Sequence, residues 1–117
     1  MAASDHLHPV QLRMFITARE LHDMPSAEVG DPRTGAWPTH EEMWAAKKED
    51  NDEPWRQASY DDSETLSQSV AKHGVKHPVR IAHRGEIAEI DAGHHRIQAA
   101  YDANPESYVP VTHKRMS

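Results

Sequence analysis

The chain has 117 residues, with 13 Lys and Arg against 19 Asp and Glu for a formal charge of −6, and it contains no cysteine. That length suits one domain with one core and is short for two. The missing thiols exclude disulfides, thiolate metal sites and every Cys-nucleophile mechanism.

Hydrophobic residues make up 37% of the sequence and the mean hydropathy is −0.85, so the expected core is small and much of the chain lies on the surface. No apolar window approaches the length needed to cross a bilayer, and Met1 to His8 lacks an apolar leader-like core. A cytoplasmic protein without a membrane partner is the expectation. Residues 1–69 carry 6 basic and 14 acidic residues, whereas residues 70–117 carry 7 and 5. The C-terminal part is therefore the expected anion binder. An acidic total argues against bulk electrostatic attraction to DNA, so any nucleic-acid contact must be local.

In chain order, Val10, Leu12, Met14 and Ile16 alternate with Gln11, Arg13 and Phe15, the period-two pattern of a strand over 10–16. Thr17 with Glu20 predicts a capped turn of helix, Ala18 to His22. Residues 25–38 contain three prolines and two glycines and predict a loop. Thr39 with Glu42 forms a second capping signal, opening a helix from His40 to about Glu49 with Met43, Trp44 and Lys47 inward. The acidic stretch Lys48 to Asp62 is expected on the surface, pinned by Trp55 or Tyr60. A further helix from Asp61 or Ser63 to His73 would end at Gly74, with Leu66 and Val70 on its inner face. Pro78 then opens a strand, Val79 to His83. Arg84-Gly85 turns into a second strand, Glu86 to Asp91. After Gly93 comes a helix from His94 to Ala103 with Ile97, Ala100 and Tyr101 on one face, stopped by Asn104-Pro105. A last strand covers Tyr108 to His113. Together these predict one α+β domain over 1–117: a small mixed sheet with helices, an irregular acidic half over 1–62 and a core over 63–113.

Two segments carry the candidate chemistry. Gly74-Val75-Lys76-His77-Pro78 is a cationic turn from helix to strand, and Gly93-His94-His95-Arg96 leads from a strand directly into a helix. A helix N-terminus offers unbonded N–H groups and partial positive charge, and adjacent His and Arg add charged donors for a phosphate. Each glycine is equally explained as a plain stop or turn. His94 and His95, adjacent on a helix, point about 100° apart and make a poor metal pair. His73 and His77 have the spacing of helical zinc ligands, but Gly74 and Pro78 break the helix that spacing requires, so no metal site is assigned. Asp91, two residues before Gly93, is placed to orient His95 or hold a cation; an exposed strand charge is the plainer reading. Trp37, Trp44 and Trp55 lack basic neighbours and suit anchoring better than base stacking.

The order Ser69-Val70, Gly74-Val75-Lys76-His77-Pro78-Val79, a hairpin, Asp91-Ala92-Gly93-His94-His95-Arg96-Ile97-Gln98-Ala99-Ala100 and Val109-Pro110-Val111 resembles the N-terminal domain of ParB-family proteins. That family, within the ParB/sulfiredoxin superfamily, has a G-x-x-x-P-[IV] turn and a G-E-R-R-x-x-A box, and a box with His before Arg occurs in stand-alone ParB-like phage proteins. The resemblance implies an anion site of Gly74, His77, Pro78, Gly93, His94, His95 and Arg96, in which His95 is the candidate acid/base, Arg96 the phosphate clamp and Asp91 a candidate catalytic residue and metal ligand. It further implies a nucleotide or DNA phosphate as partner, Mg²⁺ with a nucleoside triphosphate as the cofactor class, and weak nuclease or nucleotidase activity; a homodimer is a separate expectation. The chain departs from the pattern where His94 and His95 replace the acidic residue and first arginine, and it lacks the downstream acidic-Asn motif and DNA-reading helices. Sulfiredoxins use a Gly-Cys-His-Arg box; without cysteine, sulfinic-acid repair is excluded. The alternative is a non-catalytic module that binds a host protein through its acidic half.

Overall fold

A computed structural model describes residues 13–30, 37–53, 57–58 and 61–115. The elements are β1 (Phe15–Thr17), α1 (Ala18–Asp23), α2 (His40–Asn51), β2 (Gln57–Ala58), β3 (Asp61–Thr65), α3 (Leu66–His73), β4 (Val79–Arg84), β5 (Ile87–Ala92), α4 (His94–Ala103) and β6 (Tyr108–Arg115). Four strands form a mixed sheet in the order β1-β6-β4-β5, and β2 and β3 pair separately. Only β4 and β6 run parallel; β1 with β6 and β4 with β5 are antiparallel. The protein is thus a small α+β fold, with four helices among the described residues. No described helix is long and apolar enough to cross a membrane.

One cluster joins sheet and helices. Ile16, Val79, Ile81, Ile90, Val109 and Val111 pack with Leu21, Met43, Val70, Ile97 and Ala100 from the helices. Full burial of each large aliphatic side chain contributes roughly 1.5–3 kcal/mol. The opposite sheet face carries exposed Phe15, Arg80, Arg84, Tyr108, Thr112 and Lys114. Pro110 lacks a donor yet lies in an inner strand. It precedes the β4 pairing, which begins at Val79 and Val111, so its missing N–H removes no bond of that ladder.

Capping explains the starts of α1, α2 and α3. Thr17 and Thr39 accept from the N–H groups of Glu20 and Glu42, each at 3.2 Å. Thr65 and Gln68 form a reciprocal capping box at the start of α3. This last cap corrects the expected start at Asp61 or Ser63: residues 61–65 are instead strand β3, paired with β2. The expected strand over 10–16 is also shorter. Val10 and Leu12 lie outside the described residues, and Met14 is 74% exposed, so the inward face begins at Ile16. Within the segment expected as loop, Ser26 bridges to β5: Ala27 donates to Ile90 O and Ile90 to Pro25 O, which lines the free edge of that strand. The hairpin turn is Gly85-Glu86, one residue later than expected, since Arg84 pairs with Ile87. Trp55 and Tyr60 lie outside the described residues. Helix α4 has the bounds expected for it.

Gly93 sets the junction of β5 and α4. Its φ is +103°, and a Cβ there would lie 2.6 Å from Val79 Cγ1 and 2.7 Å from Val79 Cβ. Gly74 also has positive φ, at +76°, but a Cβ there meets nothing within 4 Å. Gly93→Ala is therefore expected to cost about 2–4 kcal/mol, strain and overpacking together, and Gly74→Ala about 1 kcal/mol, from strain alone. Urea denaturation of the two variants checks the ranking; equal losses would show that contact with Val79 is unimportant.

Candidate functional site

The two segments singled out in the sequence meet in the fold. Arg96, on the first turn of α4, donates from Nη1 to the carbonyl oxygens of His77, at 3.0 Å, and Pro78, at 3.1 Å. Gly74 ends α3, its N–H donating to Val70 O at 2.8 Å. Val75 to Pro78 then lead into β4, with His77 and Pro78 exposed. Partial burial lowers the Arg96 pKa from its ordinary value, which leaves the guanidinium charged at neutral pH. Arg13, Arg19, Arg80 and Arg84 each pair with a carboxylate, whereas the contacts of Arg96 are carbonyl oxygens. Gly93 provides no side-chain cap, so the N–H groups of the first turn of α4 lack one.

His94 departs from the expected role. It is 3% exposed and points away from the turn, into the core. Its Nε2 lies 2.6 Å from Ser26 Oγ and its Nδ1 lies 3.0 Å from Glu28 Oε2. Burial pushes its pKa down to about 4, outweighing the attraction of Glu28. The neutral ring fits one tautomer: the Glu28 carboxylate only accepts, so Nδ1–H donates to it and Nε2 accepts from the Ser26 hydroxyl. Burial raises the Glu28 pKa, but the hydrogen bond from Lys47 Nζ, at 2.8 Å, and the charges nearby bring it below its ordinary value. The connectivity is that of a Ser–His–Glu relay. With Ser26 only 5% exposed, the relay acts as a strut joining the 26–29 segment, α2 and α4. Both ring nitrogens are engaged, so His94 leaves the phosphate-ligand set.

His95 faces the other way, half-buried, with Nε2 3.0 Å from Asp50 Oδ2. Its partner is therefore Asp50 rather than Asp91, which instead accepts from Arg80 Nε at 2.6 Å. Beside it, Asn51 is fully buried and donates from Nδ2 to the carbonyl of His95 at 2.9 Å. The C-terminus of α2 thus grips the first turn of α4. Neither Asp50 nor Asn51 was singled out, because the helix was expected to stop at Glu49 and the acidic run to be surface. Ser26 and Glu28 carried no local signal either; only tertiary structure brings them to His94.

Among the described residues, no three carboxylate, imidazole or thiol groups converge on one point. With Asp91 committed to Arg80, these residues do not form a cage for Mg²⁺. The arrangement offers a charged guanidinium, uncapped helix N–H groups and an imidazole oriented by a carboxylate.

The His94 shift implies a pH dependence. Between pH 6.5, its ordinary pKa, and about 4, its folded one, the unfolded chain binds more protons. The stability from keeping His94 neutral is complete above about pH 6.5 and declines as pH falls toward 4, by on the order of 3 kcal/mol. His94→Gln is expected to be less stable near pH 7.5 and to lose less between about pH 7 and 5. Urea midpoints across that range check this; parallel profiles for the two proteins would refute it.

No family model matches the chain, and neither the curated proteins nor the solved structures contain a detectable relative.

Proposed function

We propose that the junction of the Gly74–Pro78 turn with the N-terminus of α4 binds the phosphates of a nucleotide or nucleic acid, as the likeness to ParB-type domains suggests. The observation that carries this reading is the position of Arg96. Its Nη1 holds both segments together through the carbonyls of His77 and Pro78. Its Nε and Nη2 donors complete a planar fork suited to phosphate oxygens. The first-turn N–H groups of α4 and the helix dipole act in the same direction. His95, oriented by Asp50, is the proton-transfer group of the reading, the imidazole–carboxylate pairing that general bases use. Gly93 serves the packing against Val79, and His94 the strut.

Isothermal calorimetry with CTP, ATP and a short DNA duplex, with and without Mg²⁺, tests the reading. Arg96→Ala is expected to weaken binding roughly 10- to 100-fold, as loss of charge-assisted hydrogen bonds worth about 1.5–3 kcal/mol implies. Circular dichroism of the same sample shows whether the fold survives. Unchanged affinity in a folded variant would overturn the assignment. Where turnover of a bound ligand is measurable, His95→Gln and Asp50→Asn should each lower it, the first by about 100-fold.

A further inference from the structure

The helices pack on one face of the sheet, and no described element covers the other. Strand alternation sets what the open face presents. Ile16, Ile81, Val109 and Val111 point into the core, so Phe15, Arg80, Arg84, Tyr108 and Lys114 point out. The two rings stand well clear of the surface. Phe15 is 56% exposed and Tyr108 67%, and neither enters a ring contact among the described residues. Both are carried by paired strands, Phe15 opposite Pro110 and Tyr108 opposite Thr17, so the ladder between β1 and β6 fixes their places.

Cations continue the same surface. In the β4–β6 register Arg80 lies opposite Thr112 and Ala82 opposite Lys114. At a strand rise of about 3.3 Å per residue, Arg80 and Arg84 are about 13 Å apart and Lys114 is level with their midpoint. Arg80 Nε is bonded to Asp91 Oδ2 at 2.6 Å and Arg84 Nε to Glu89 Oε1 at 2.8 Å. Each carboxylate holds its guanidinium by one nitrogen. Among the described residues the Nη groups of both have no hydrogen-bond partner, and Lys114 makes no hydrogen bond or ion pair. Three cations against two carboxylates make this face locally positive on a chain of charge −6.

From Tyr108 to Lys114 the face runs about 20 Å, with rings toward one end and cations toward the other. Exposed rings and spaced cations on one rigid surface match unpaired bases and their phosphates, because every base has a π-face whatever its identity. Size separates this occupant from a second copy of the chain. Four strands about 4.8 Å apart and about 20 Å long give about 400 Å², half of the roughly 800 Å² per partner in a stable protein interface. A single strand of about four nucleotides needs no more.

We propose that this open sheet face binds single-stranded nucleic acid, its bases stacked on Tyr108 and Phe15 and its phosphates held by Arg80, Lys114 and Arg84. The site does not rest on the phosphate reading, whose Arg96 belongs to a helix packed on the opposite face.

Fluorescence anisotropy of labelled oligothymidine and oligouridine, each of about twelve nucleotides, tests it at low salt. Saturable binding is expected, the preferred oligomer naming the sugar, with a blunt DNA hairpin bound about tenfold more weakly because paired bases cannot reach the rings. Tyr108→Leu and Phe15→Leu keep apolar bulk but remove the ring, and each is expected to weaken binding about tenfold. Lys114→Gln should weaken it and lower the salt slope by about 0.7, the share of one phosphate on a single strand. The control Lys48→Gln removes the same charge from an exposed position on α2, so a comparable loss there would show diffuse attraction and overturn the site. Absent binding, equal affinity for the hairpin, or leucine variants that bind like the parent protein would overturn it too. Arg96→Ala should leave this titration unchanged. Loss in that variant with the ring variants intact would move the strand to α4 and overturn the sheet site, so the two readings fail separately. Phe15, Tyr108 and Lys114 are exposed, so their variants retain the fold.

Discussion

The close approach of Gly93 to Val79 is the constraint from which the arrangement of α4 follows. A residue with a side chain at position 93 would have to occupy the space of Val79 while adopting φ +103°. Because glycine needs neither concession, α4 starts directly against β4 with no intervening loop. Successive first-turn residues then fan out at about 100° intervals into three different environments. His94 enters the core and meets Ser26 and Glu28, His95 meets Asp50, and Arg96 lies across the carbonyls of His77 and Pro78. One short approach thereby decides which of three adjacent polar residues enters the core and which two stay partly exposed.

That division also shows what could be read in the sequence. The bounds of α4 were legible because Gly93 and Asn104-Pro105 punctuate a clear helical face, and the start of α2 because Thr39 and Glu42 cap it. The joining of the two glycine segments was legible too, since a helix, hairpin and helix in that order bring both to one end of the sheet. The direction of each histidine was not: a 3.6-residue period says that neighbours diverge, but not which one finds Ser26 some 68 positions earlier. The β2–β3 pair escaped notice because Asp61 to Thr65 has no apolar alternation, and the helix was expected to start already at Asp61 or Ser63. Asp50 and Asn51 were hidden within an acidic run whose composition indicates surface, although Asn51 is fully buried.

Helix α4 is electrostatically divided along its length. Its first turn presents Arg96 and uncapped N–H groups, and its last turn presents Asp102 beside Asp23 at the end of α1. Gln98 and Ile97 between them are buried. The uneven charge of the chain, acidic over its first 69 residues and slightly basic after, is thus reproduced on the surface of one ten-residue helix.

Strand β6 pairs with β1 on one side and β4 on the other, so an inner strand of the sheet is its last in chain order. Pairing of Ile16 with Val109 spans most of the chain, and closing so large a loop is slow. On the ribosome, β1 and the β4–β5 hairpin emerge well before the strand that joins them. Until residues 108–115 leave the exit tunnel, the facing edges of β1 and β4 have no mate within the chain, and the nascent protein is exposed to chaperones and to edge-to-edge association.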